Sequence, residues 1–111
     1  MQITFATGKL KKEFEDGRLL QRVHGHERAM KIQKRMAQME AALHLAQLRN
    51  QPGRFHELTG NLKGSLACDL DQPYRLIFKP VHSPLPALKN GSLDWGGVTN
   101  IQIEGIVDYH G

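Results

Sequence analysis

The 111-residue chain has a single cysteine, Cys68, and this scarcity excludes an internal disulfide framework and any zinc site built from paired cysteines. A thiol without a partner suits a reducing compartment. The amino terminus, Met1 to Phe5 followed by Gly8-Lys9-Leu10-Lys11-Lys12-Glu13, lacks the apolar core of a signal peptide, and no stretch approaches 18 apolar residues. The expectation is a cytoplasmic protein that meets no membrane. Gly8-Lys9 lacks the earlier glycine that a phosphate loop requires, and there is no dinucleotide-binding fingerprint. Internal repeats and low-complexity tracts are missing too.

What remains is the composition of one ordinary globular domain spanning residues 1–111. Hydrophobic residues make up 40% of the chain and charged residues 23%, which argues against whole-chain disorder, collagen or a coiled-coil rod. A chain of this length buries enough surface for one core without staples. The formal net charge is +4, unevenly placed: residues 1–65 hold 12 Lys+Arg and 6 Asp+Glu, whereas 66–111 hold 3 and 5. A basic front half suits a polyanionic partner, nucleic acid or an acidic protein, and is also common in proteins that bind neither.

Periodicity divides the chain into a strand, two helices and further strands. Gln2 to Ala6 reads as a short strand. Thr7 can cap a helix in which Leu10 and Phe14 stand one turn apart, with Gly17 as its stop. From about Glu27 to Leu48 the period is helical, with Ile32, Met36, Met39 and Leu43 on one stripe. On the same wheel Arg28, Lys31, Lys34 and Arg35 span an arc of roughly 120°. That arc reads either as a solvated face or as a contact for phosphate or an acidic partner. Asn50-Gln51-Pro52-Gly53 must break the helix. Beyond it come a short strand over Phe55 to Leu58 and a glycine-bounded turn, Gly60-Asn61-Leu62-Lys63-Gly64. A hairpin is predicted next, in which Leu66, Cys68 and Leu70 face the core and Tyr74, Leu76 and Phe78 alternate with Arg75, Ile77 and Lys79. Pro80 to Gly97 is rich in breakers and reads as a functional insert or a flexible connection. A last strand runs through Ile101, Ile103, Val107 and Tyr109.

His24-Gly25-His26-Glu27 has ligand types for a metal, but no second cluster at helical spacing accompanies it, so no metal is expected. Glu40 and His44 read as a surface pair on the long helix.

The second half carries a likeness. Arg54-Phe55-His56-Glu57-Leu58-Thr59-Gly60-Asn61-Leu62-Lys63-Gly64, then Pro73-Tyr74-Arg75-Leu76-Ile77-Phe78, then Ile106-Val107-Asp108-Tyr109-His110, resembles the RelE/ParE superfamily of bacterial toxins, specifically HigB-type plasmid-maintenance killer proteins. The resemblance implies an α+β fold, a twisted antiparallel sheet with two amino-terminal helices on one face. It implies a toxin of a type II toxin-antitoxin system, a ribosome-dependent endonuclease that cleaves messenger RNA and so inhibits translation. It also implies a cognate antitoxin, of the helix-turn-helix DNA-binding kind. By the same resemblance the active residues fall on His56, Arg75, Asp108, Tyr109 and His110. Thr59 stands where many relatives carry lysine, and the Pro80 to Gly97 segment is atypical.

The residue types suit that chemistry on their own terms. RNA cleavage without a cofactor needs a base for the 2′-hydroxyl, an acid for the leaving 5′-oxygen and cations for the phosphate. Because a free imidazole titrates near neutrality, His56 and His110 are candidates for the first two roles in either order. Arg75 can hold phosphate oxygens bidentately, Lys63 can add a point charge, and Arg54 and the helical Arg28, Lys31, Lys34 and Arg35 complete the candidate RNA contacts. Tyr109 can stack on a base, and Asp108 can orient a histidine. The plainer alternatives are solvated loops for His56 and Lys63, an ion pair of Arg75 with Asp69 or Asp71, and a core position for Tyr109. Two other functions compete: a poison of the ParE kind that binds DNA gyrase, and a binding module without catalysis.

Overall fold

A computed structural model describes residues 1–109. Along the chain run β1 (Gln2–Phe5), α1 (Gly8–Glu15), α2 (Gly17–His24), α3 (His26–Ala41), β2 (His56–Glu57), β3 (Leu66–Asp69), β4 (Tyr74–Pro80) and β5 (Asn100–Asp108). Short 3-10 turns occur at Leu45–Leu48, Gly60–Leu62 and Trp95–Gly97. The expected α+β class is the one found, with three helices in place of two and a mixed sheet in place of a purely antiparallel one.

The extra helix arises because two caps meet. The Thr7 hydroxyl accepts the amide of Leu10 at 3.1 Å and starts α1, as expected. The helix stops at Glu15, and the Asp16 carboxylate accepts the amides of Arg18 and Leu19, opening α2 one residue later. Gly17 therefore begins a helix instead of ending one. The turn that does need glycine is Gly25, where φ is +83° and the chain passes directly from α2 into α3. Val23 stays exposed, whereas Leu20 is fully buried and anchors α2.

Helix α3 keeps the predicted stripe as far as Met39 and then ends at Ala41, short of Leu48. Ala42 is extended, and Leu45 donates its amide to the Val98 carbonyl at 3.0 Å. This turn carries Leu45 and Leu48 into the core. It also throws Leu43 out of the stripe to 73% exposure and separates Glu40 from His44 on the helix.

The five-stranded sheet has the order β1-β5-β4-β3-β2. β3 and β4 form the predicted antiparallel hairpin, with Leu66 opposite Phe78 and Asp69 opposite Arg75. β5 runs antiparallel to β4, and β1 lies parallel to β5 with Ile3 opposite Ile101 and Phe5 opposite Ile103. The helices bring the chain back as β2, which runs opposite to β1, and three antiparallel reversals through β3, β4 and β5 then set β5 in the direction of β1. Leu66, Cys68, Leu76, Phe78, Ile101 and Ile103 point to the helices and join Leu20, Ile32 and Met39 in the main core. The opposite face is open. Its apolar floor is small, made of Leu58, Ala67 and Ile77 with Val107 packed against them.

The Pro80–Gly97 segment is ordered. Leu88 donates to Ser92 at 2.8 Å, Asp94 donates to Pro86 at 3.0 Å, and Ala87 bridges to Leu93. Trp95 is buried, donates from Nε1 to Glu57 at 3.0 Å, and lies under the Arg49 guanidinium. This arm faces the turn around Lys63 across a hollow of about 850 Å³. Among the described residues no helix is long and apolar enough to cross a membrane.

Candidate active site on the open sheet face

Alternation along each strand decides which side chains share the open face. His56 pairs with Ala67, Ala67 with Ile77, and Ile77 with Gly105, so His56 stands over the apolar floor. Arg75 pairs with Asp69 on one side and Val107 on the other, which puts it on the same face. Tyr109, two residues past Val107, lies there as well, held by its amide to the Pro73 carbonyl at 3.2 Å. The fold thus brings together His56, Arg75 and Tyr109, which are far apart along the chain. His56 and Arg75 are two strand spacings and two residues apart, about 12 Å between Cα atoms.

The local contacts fix the chemistry of each group. His56 Nδ1 lies 2.7 Å from the Arg54 carbonyl oxygen. A carbonyl only accepts, so Nδ1 carries the proton and a neutral ring keeps its lone pair on Nε2. Arg75 sits with its Cζ 4.1 Å from the centre of the Tyr109 ring and its Nε 3.4 Å from Asp69. The ring face and the carboxylate together restrict a guanidinium that would otherwise sample many rotamers. The ion pair with Asp69, the plainer alternative for Arg75, is therefore present alongside the functional placement.

Asp69 is the residue that sequence reasoning undervalued. Its carboxylate also takes Arg54, with Nε to Oδ2 at 3.1 Å and Nη2 to Oδ1 at 3.2 Å. The hydrogen bond to Asp69 raises the Arg54 pKa above its ordinary value. The available signal was the hairpin register, which sets Asp69 opposite Arg75.

The other candidates are dispersed. Asp108 pairs with Tyr74, on the helix-bearing side by alternation, so it does not join His56 on the open face. His110 lies outside the described residues. Lys63 is exposed in the turn beyond β2, at the end of the sheet away from Arg75, and lines the hollow beneath the arm. The helical basic arc is split. Arg35 is only 5% exposed and donates from Nε to the Asp69 carbonyl at 2.7 Å and from Nη1 to Gln38 at 3.0 Å. Its burial removes it from the RNA contacts. Arg28 is engaged bidentately by Asp71 at 3.0 and 3.2 Å and stacks 3.4 Å from the centre of the Tyr74 ring. Its pKa is raised, chiefly by the Asp71 hydrogen bond. Lys34 is exposed and Lys31 half-buried, both beside a shallow hollow that includes Met30. These two lysines lie on a helix outside the open sheet face. His24 of the His-Gly-His-Glu run pairs with Glu13 across α1 and α2.

Cys68 is fully buried, and burial pushes its thiol up to about 12 although the Arg35 charge pulls it down. It is a packing residue, as the alternation suggested.

No family model and no curated protein matches the sequence. Among solved structures, the chain is similar to the YoeB-YefM complex from Staphylococcus aureus, with 14% identity, a TM-score of 0.57, and coverage of 100% of this chain and 98% of that chain. The α+β fold class implied by the sequence is the one present, and the chain shares its fold with a chain of that complex.

Proposed function

We propose that this chain is a cytoplasmic toxin of a toxin-antitoxin pair that acts as a messenger RNA endonuclease on the ribosome, and that a cognate antitoxin holds it in check. The observation that carries the reading is the meeting of His56, Arg75 and Tyr109 on one uncovered sheet face. The likeness of the fold to a chain of the YoeB-YefM complex supports it, as does the HigB-type resemblance of the three sequence segments.

In this reading His56 Nε2 takes the proton of the 2′-hydroxyl, whose oxygen attacks the adjacent phosphorus. The bond from phosphorus to the 5′-oxygen breaks, leaving a 2′,3′-cyclic phosphate, and the departing oxygen takes a proton from an acid, the role assigned to His110. Arg75 stabilises the charge gathering on the non-bridging oxygens. Its guanidinium is already oriented by Tyr109 and Asp69, so little ordering remains to be done when RNA arrives.

Primer extension on messages from cells expressing the chain tests the proposal. Discrete cuts are expected, weakened at least 100-fold by His56→Ala and by Arg75→Ala, the scale of a lost base or oxyanion donor. Growth arrest with intact messages would replace the nuclease by a gyrase poison of the ParE kind. Normal growth on expression would leave a binding module.

A further inference from the structure

Two guanidiniums converge on one carboxylate at the end of the open face. Arg54 reaches both oxygens of Asp69, and Arg75 reaches Oδ1 from the neighbouring strand. The Asp69 backbone is held from behind: its amide donates to the Gly53 carbonyl at 2.7 Å, and its carbonyl accepts from the buried Arg35. Two positive charges meet one negative charge, so the cluster keeps a net positive charge on a surface 20% exposed at Asp69 and 54% exposed at the Arg54 side chain. A carboxylate and a phosphodiester present the same feature to a guanidinium fork, a pair of anionic oxygens. The Arg54 fork lies half in solvent, so its pair with Asp69 holds weakly and exchanges readily, whereas the Arg75 pair is more enclosed, with side chains 24% and 20% exposed.

We propose that Asp69 is a built-in competitor for phosphate: its carboxylate occupies the seat between Arg54 and Arg75 that a phosphodiester of single-stranded nucleic acid takes on binding. The proposal deepens the nuclease reading, on which it rests for the nature of the ligand. The free protein keeps both guanidiniums aimed with half of their charge offset by the carboxylate, so stray polyanions gain less from them. A strand positioned by further contacts can displace the carboxylate. In the sequence this competitor is the single acidic residue of β3, set opposite Arg75 by the hairpin register.

The test is binding of a short, labelled single-stranded oligodeoxynucleotide, which lacks the 2′-hydroxyl and cannot be cleaved, followed by fluorescence anisotropy across a salt series. Asp69→Asn removes the charge while keeping the shape, and Asp69→Ser is the second variant should the first fold poorly. Either variant is expected to bind about five- to tenfold more tightly at low salt, because a like charge a few ångströms from the phosphate is gone. Adding Arg75→Ala should abolish the gain. Affinity unchanged within twofold, or weakened, overturns the competitor and leaves Asp69 as a scaffold for the arginines. The two readings fail separately. Tighter binding without message cleavage keeps the phosphate seat and removes the nuclease, whereas message cleavage with no gain in affinity does the reverse.

Discussion

Gly53→Ala is the substitution through which the architecture behind the site is most directly measured. Gly53 has φ of +110°, and a Cβ there would lie 2.6 Å from Nε, 2.8 Å from Cζ and 2.9 Å from Cδ of Arg35. Those are contacts that real side chains do not make. The residue struck is a buried arginine that ties α3 to β3 through the Asp69 carbonyl at 2.7 Å, and Gly53 itself accepts the Asp69 amide. Backbone strain for a residue with a side chain in this region costs about 1–3 kcal/mol. Displacing a buried charged donor from its acceptor costs about 1.5–3 kcal/mol more. The expected loss is therefore about 3–5 kcal/mol, a large share of the roughly 5–15 kcal/mol typical of a domain. At about 4 °C per kcal/mol for this chain length, Tm should fall by about 12–20 °C. Urea unfolding followed by circular dichroism measures the loss directly, and a double-mutant cycle locates its cause. In an Arg35→Ala background the clash disappears, and Gly53→Ala should cost only the strain, with a coupling of about 2 kcal/mol between the two positions. A loss below 1 kcal/mol in the native background, or strict additivity in the cycle, would refute the packing of Gly53 against Arg35.

Two further outcomes follow from groups elsewhere in the fold. Cys68 should resist iodoacetamide at pH 8 in the native state and react once urea unfolds the chain, because its thiol stays protonated up to about 12. Since the folded pKa lies above the ordinary 9.0, the stability linked to the protonated thiol is complete below pH 9 and lost as pH rises from 9 towards 12, by about 1.4 kcal/mol per unit; a Cys68→Ala variant should lose that part of the alkaline slope. His82→Ala should cost about 1–2 kcal/mol and speed hydrogen exchange at Asn100, because His82 Nε2 accepts the amides of both Thr99 and Asn100, at 3.1 and 3.2 Å, where β5 begins.

The sequence by itself determined the segments in which short-range physics acts alone. The alternation of Leu66, Cys68, Leu76 and Phe78 sorted core from open face, the i, i+4 spacing of Ile32 and Met36 marked α3, and the hairpin between β3 and β4 followed from the two alternating runs around Gln72-Pro73. These signals depend on the period of the backbone and on the partition of apolar side chains, both of which are local. The tertiary structure decided what depends on neighbours distant in the chain. It ended α3 at Ala41 by offering Leu45 the Val98 carbonyl, ordered the Pro80–Gly97 arm by burying Trp95 against Glu57 and Arg49, and laid β1 parallel to β5. It also separated basic residues that share one arc of the helix. Arg35 is drawn inward by Asp69 and Gln38, and Arg28 is claimed by Asp71 and Tyr74, while Lys34 beside them on the helix stays in solvent and Lys31 is half-buried. A helical wheel cannot distinguish these residues, because the cost of burying a guanidinium is set by whether acceptors on another element are in place to receive it.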